Sequence, residues 1–203
     1  MLIFFEKDLV FLATPKAGST AIESALEPLA SLAVMRPPHL KHSDYRSFRQ
    51  HIAPWLQPSG HRKPTTVAVM REPIEWLRSW YRFRMRDDIE DPLHEMTGVT
   101  FTDFVQSYMS ADGRMRARIG TQSDFLTDQG QSVDCIFRYE EMEEFTEFME
   151  DRLDCVLHLP RVNVPPSVDV SLSPELEARL REFLAEDAAL YDSLAVPRET
   201  VTA

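Results

Sequence analysis

Residues 11–26, FLATPKAGSTAIESAL, hold the clearest chemical signal in the chain. An apolar run enters Thr14–Pro15–Lys16–Ala17–Gly18–Ser19–Thr20. It leaves as a helix whose apolar stripe is Ile22, Ala25, Leu26 and Leu29. A loop of this kind can cradle an anion, because the free amides of the first helical turn and the positive end of the helix dipole face it. Gly18 lets the backbone approach a ligand, Ser19 and Thr20 add hydroxyl donors, and Lys16 adds a full positive charge. The same residues also suit a plain strand–helix turn with a Ser/Thr cap and a solvated lysine. The order is not that of a Walker A loop, which puts its lysine after the second glycine, whereas Lys16 precedes Gly18. That disfavours a general nucleoside triphosphatase.

A second constellation follows a later strand, in VAVMREPIEWLRSWYRFR at 67–84. Arg71 stands at the strand's end, Pro73 suits the first helical position, and Ser79 lies two turns into the helix. A guanidinium can form a bidentate pair with phosphate and a hydroxyl adds a donor. A helix-entry ion pair with Glu75 is the alternative use of Arg71.

Taken in order, P-K-x-G-[ST]-[ST] and then R-x-P with Ser six residues on and an aromatic two further resemble the sulfotransferases that use 3′-phosphoadenosine 5′-phosphosulfate. Arg71, Pro73, Ser79 and Tyr81 stand at the positions of that second motif. The resemblance implies that Pro15, Lys16, Ala17, Gly18, Ser19 and Thr20 hold the 5′-phosphosulfate and that Arg71 and Ser79 grip the 3′-phosphate. It further implies that Tyr139, in FRYEEM at 137–142, lies near the adenine. The loop with Arg161 and Asn163 takes the place that closes over the 3′-phosphate end. Trp76 departs from the pattern, where many members carry Arg, and Ala21 replaces an aromatic that stacks on adenine in the cytosolic branch.

The implied reaction moves a sulfuryl group in line onto an acceptor hydroxyl or amine, leaving adenosine 3′,5′-bisphosphate. Lys16 is the electrostatic stabiliser, and no metal is required. A base must take the acceptor's proton, and six histidines are available: His39, His42, His51, His61, His94 and His158. In the carbohydrate-modifying branch a Lys–Glu pair follows the second strand. Lys41–His42 in PPHLKHSDYR is similar to it with His in place of Glu, so His42 is the first candidate and His39 the next. His158 sits in an apolar run and reads as a core histidine. Arg46, Arg49, Arg82, Arg84 and Arg86 are candidates for the rim of an anionic acceptor site, or for a solvated helix face. The acceptor itself stays open, with a carbohydrate or small molecule favoured. Two other classes fit the same loop: a P-loop-like kinase of unusual loop order, and a non-catalytic nucleotide-binding protein.

The elements that must position these residues alternate along the chain. LIFF and LVFLAT read as a hairpin, or as an edge strand feeding a central one. Further strands are expected near Ala33–Met35, at TTVAVM 65–70, at VDCIFRYE 133–140 and at CVLHL 155–159. Helices are expected after Pro73, over 101–109, over 140–153, and in a last segment capped by Ser173 with Leu176, Leu180, Phe183, Leu184 and Tyr191 on its apolar side. This order predicts an α/β fold of three layers, α/β/α, around a central, mostly parallel sheet. The resemblance implies the P-loop NTPase-like sulfotransferase fold, in a single domain over 1–203.

Composition sets the remaining bounds. A net charge of −11 over 203 residues argues against a nucleic-acid partner. The charge is unevenly spread: residues 1–86 hold thirteen basic and seven acidic side chains, and 87–203 hold nine and twenty-six. The basic part contains Lys16 and Arg71, which suits a small polyanion. Cys135 and Cys155 sit in apolar runs where reduced thiols are the usual occupants. The first residues do not read as a signal peptide and no apolar stretch reaches a membrane span's length, so a cytoplasmic location is expected.

Overall fold

Residues 1–56, 63–86, 98–160 and 167–194 are described by the computed structural model. Strand β1 (Leu2–Phe4) and β2 (Leu9–Phe11) are joined by one 3-10 turn, Phe5–Lys7, that ends at Asp8 in the left-handed region (φ 47°). So short a connection forces the two strands antiparallel. Helix α1 (Ser19–Leu26) follows β2 and leads to β3 (Leu32–Ala33), which pairs antiparallel with β1. Three short helices come next: α2 (Pro38–Lys41), α3 (Tyr45–Ser47) and, after a π-turn over Phe48–Ile52, α4 (Ala53–Leu56). β4 (Thr65–Met70) runs parallel to β2 and opens into α5 (Pro73–Arg84), with Pro73 in its first turn and Glu72 as N-cap.

Helices α6 (Phe101–Met109), α7 (Arg114–Ile119) and α8 (Gln122–Leu126) precede a two-stranded hairpin of β5 (Thr127–Asp128) and β6 (Gln131–Ser132). Gln129 and Gly130 at its tip both have positive φ, as a two-residue turn matched to strand twist requires. β7 (Cys135–Arg138) pairs parallel with β4, and α9 (Met142–Leu153) follows a 3-10 turn. The C-terminal region holds α10 (Pro174–Phe183), capped by Ser173 as expected, and α11 (Ala185–Ser193).

The main sheet has the order β3-β1-β2-β4-β7, and β1 runs against the other four. It is therefore a mixed sheet, and the expected parallel arrangement holds for the β2–β4–β7 part. Alternation of side chains sends Leu2, Phe4, Leu9, Phe11, Val67 and Val69 to one face, where α1 and α9 cover them through Ile22, Leu26, Phe145 and Met149. Ile3, Val10, Leu12, Ala68 and Met70 face the opposite way, onto Tyr45, Phe48, Leu56 and Leu126. Two covered faces explain why β2 and β4 read as continuous apolar runs. A further apolar cluster joins α5, α6 and α10 through Trp76, Tyr81, Phe104, Tyr108 and Leu180.

Four expectations need correction. The run 155–159 is not a strand, because the Leu157 amide is taken by the Glu150 carboxylate at 2.7 Å and no ladder forms. Within it only Leu157 is buried, and His158 is exposed rather than in the core. β3 lies at Leu32–Ala33 and not at Ala33–Met35. The last helix is two helices, separated at Leu184. No helix among the described residues is long and apolar enough to cross a membrane, and no disulfide joins Cys135 and Cys155.

Candidate anion-binding site

The loop between β2 and α1 is built by two residues of left-handed backbone, Lys16 (φ 62°) and Gly18 (φ 79°). Gly18 is the N-cap of α1, and no side chain caps that helix. The Ser/Thr-capped turn allowed by the sequence is thus not what forms. The first-turn amides of Ser19 and Thr20 keep their usual need for an acceptor. Ser19 is buried and Thr20 exposed, while the buried Thr14 hydroxyl at the loop's entry has no hydrogen-bond partner among the described residues.

Three contacts hold the loop. The Trp76 indole donates to the Pro15 carbonyl at 2.8 Å, so the residue that departs from the family pattern pins the loop to α5. The Ala13 carbonyl accepts from His42 Nδ1 at 2.6 Å. The Tyr139 ring closes over Gly18, where a Cβ would come within 2.9 Å of its edge. Both the positive φ and this contact demand glycine. Gly18→Ala is expected to cost about 1–3 kcal/mol, read as a lowered midpoint in denaturant unfolding. A variant as stable as the wild type would show that the loop accommodates the methyl group.

Lys16 Nζ sits 2.8 Å above the centre of the Phe83 ring and 4.9 Å from that of Trp80, both on α5. Among the described residues no carboxylate lies within ion-pair distance of it. Burial is the main cause that lowers its pKa to about 7, and the positive charges of Arg86, Lys41 and Arg84 lower it further. A half-buried cation with cationic neighbours, and with no carboxylate beside it among the described residues, is suited to attract a negative ligand.

Arg71 reaches the same place from the end of β4. Its guanidinium stacks on Tyr139 at 4.6 Å from the ring centre and lies 3.8 Å from Glu75. Its buried Nε has no hydrogen-bond partner among the described residues. Tyr139 therefore touches Gly18 with one edge and Arg71 with its face, joining three segments that are far apart in sequence. The Glu75 pairing allowed by the sequence does form, but Glu75 is shared with Arg78 at 2.7 Å and Arg82 at 4.0 Å. Ser79 is half-buried on α5, one turn beyond Glu75.

The remaining candidates divide. His42 is half-buried, with burial the largest cause that lowers its pKa. His39 is exposed on α2. Lys41 is engaged by the wholly buried Glu23 of α1 at 2.8 Å, and the Met1 amine reaches the same carboxylate at 3.1 Å. This buried group ties the segment carrying His42 to the helix that follows the loop. Arg46 and Arg49 hold Asp128 at 2.9 and 3.1 Å, so they brace the β5–β6 hairpin. Arg161, Asn163, His61 and His94 lie outside the described residues. No group of three His, Cys, Asp or Glu side chains disposed to hold a metal ion occurs among the described residues.

Sequence reasoning missed Glu23, Gln122, Phe83 and the loop-pinning role of Trp76. Glu23 and Gln122 are each wholly buried polar residues, yet in sequence they look like any surface residue of a helix. Phe83 carried a signal that was available, an aromatic seven residues after Trp76, one face of α5. Comparison with family models, curated proteins and solved structures finds no match for this chain. Function must therefore be argued from the site.

Proposed function

We propose that the chain transfers a sulfuryl group from 3′-phosphoadenosine 5′-phosphosulfate to an acceptor hydroxyl or amine. The observation that carries this reading is the convergence on Tyr139, where Gly18 of the first motif meets Arg71 of the second. Parallel pairing of β2, β4 and β7 brings the segments that leave their ends side by side, so one ring can serve both motifs at once. The fit to a ligand with separated anionic groups is supported at both ends. Lys16 has no described acidic partner, Thr14 carries an orphaned buried hydroxyl, and Arg71 Nε is orphaned beside Tyr139.

In this reading Lys16 and the amides of Ser19 and Thr20 hold the 5′-phosphosulfate, and Arg71 with Ser79 holds the 3′-phosphate. The donor, when bound, supplies the sulfuryl group. Lys16 then stabilises charge gathering on the phosphate it leaves. His42 acts as base. Because its Nδ1 faces a carbonyl, which can only accept, the neutral ring carries its proton there and presents Nε2 to the acceptor. A cytoplasmic setting and a carbohydrate or small-molecule acceptor belong to the same proposal.

Adenosine 3′,5′-bisphosphate at a hundred times its Kd is expected to stabilise the chain by about 2.7 kcal/mol. For a chain of this size that is roughly 5–10 °C in melting temperature. No shift at millimolar bisphosphate would remove the proposal, and ATP with magnesium outcompeting the bisphosphate would favour a kinase.

A further inference from the structure

Both backbone groups of Arg71 are held by one buried side chain. Gln122 Oε1 accepts from the Arg71 amide at 2.9 Å, and Gln122 Nε2 donates to the Arg71 carbonyl at 2.7 Å. Gln122 is wholly buried. The need for this clasp follows from the sheet. Pairing of β4 with β7 ends at Met70↔Arg138, and pairing with β2 ends earlier, at Phe11↔Val67. Arg71 is thus the first residue past the ladder, and its peptide groups have no strand neighbour to bond. A primary amide carries a donor and an acceptor arranged much as in a peptide group, so Gln122 adds one more rung. A hydrocarbon side chain provides neither partner, and a carboxylate provides only the acceptor.

Gln122 is itself fixed. Its amide donates to Asp187 Oδ2 at 3.1 Å, and the next amide, that of Ser123, donates to Oδ1 at 2.8 Å. Asp187 is buried on α11. The residue after Arg71 is also held, since the Glu72 amide donates to Glu140 at 3.1 Å. With both peptide groups of Arg71 locked, its side chain leaves the strand in one direction, toward the Tyr139 ring.

We infer that Gln122 is a positioning residue for Arg71, aiming the guanidinium and thereby setting the site's preference for a nucleotide that bears a 3′-phosphate. The inference rests on the reading of Arg71 given under the proposed function. It explains why a neutral amide is buried at the end of the sheet strand that delivers Arg71.

The test compares the Kd of adenosine 3′,5′-bisphosphate with that of adenosine 5′-monophosphate, by calorimetry, on the full chain. The wild type is expected to favour the bisphosphate by about tenfold or more, the contribution of a charge-assisted hydrogen bond. Gln122→Leu and Gln122→Glu are expected to bring the ratio toward one while leaving monophosphate affinity in place. Arg71→Ala should likewise bring the ratio toward one, and Arg71→Ala combined with Gln122→Leu should lower the ratio no further, because the two act through one contact. A purely structural glutamine would weaken both nucleotides alike. If Gln122→Leu does not fold, the isosteric Gln122→Glu carries the comparison. A wild type that binds the two nucleotides equally overturns the assignment of Arg71 and this inference with it. A wild-type preference that both Gln122 variants retain overturns this inference alone.

Discussion

Lys16→Met is expected to abolish sulfuryl transfer while leaving the ligand-free chain at least as stable as the wild type. Loss of a preorganised charge at a developing anion costs about 10²–10³ in rate, and binding of the donor weakens as well. Stability moves the other way because the ammonium of Lys16 is half-buried, with cations around it and no described carboxylate in reach. Methionine keeps the packing on Phe83 and Trp80 and removes the charge. The pH dependence follows from the same facts. In the folded chain Lys16 gives up its proton near pH 7, whereas in the unfolded chain it does so near its ordinary 10.5. Between those values the unfolded state holds the extra proton, so stability of the ligand-free chain rises with pH across that window. Below pH 7 both states are charged and the full cost of burying the cation remains. Binding has the opposite sign: an anion needs the charged lysine, so affinity falls as pH rises above 7. Unfolding curves at several pH values, with transfer assays on wild type and Lys16→Met, check both parts. A destabilised but active variant would mean that Lys16 is a packing residue.

His42→Ala is expected to lower kcat by about 10²–10⁴, the usual worth of a positioned general base, with bisphosphate affinity unchanged. His42 lies beside the loop through Ala13, but in the proposed arrangement it does not touch the nucleotide. Burial, then Lys41, push its pKa below 6.5, while the Ala13 carbonyl and Glu23 oppose the shift. A base must be neutral, so the acidic limb of the rate profile lies below pH 6.5 and activity is gained as pH rises through it. Lys16 sets the opposite limb as it loses its proton near pH 7. The wild type should therefore show a narrow optimum, and His42→Ala should lose the acidic limb alone. A variant that keeps both the rate and the limb would place the base elsewhere.

How much of this was legible beforehand depends on the range of the physics involved. The strand before Thr14, the helix after Gly18, the strand before Arg71 and the Pro73 helix start are encoded within one or two dozen residues each. Hydrophobic period and the proline start of α5 are local signals, legible from neighbouring residues alone. The absence of a strand at 155–159 is not legible in this way, since it depends on which neighbour a segment pairs with. The Glu150 carboxylate that takes the Leu157 amide gives no sign in sequence that it will do so. Nothing in the sequence near Arg46 and Arg49 announces that Asp128, some eighty residues on, pairs with both.

From its sequence alone the chain shows a strand–loop–helix bearing Lys16 and Gly18 in a basic N-terminal part, followed by a second basic motif at the end of a later strand. Only the tertiary structure decided that Tyr139 joins the two, that Gln122 clasps both backbone groups of Arg71, that Lys41 is engaged by Glu23, and that Lys16 has no carboxylate beside it among the described residues. The reason is that a residue's type and spacing fix which charge and which donors it brings. Its burial and its partners are set by distant segments, and in a low-dielectric setting those partners decide whether a charge is satisfied or waiting for a ligand.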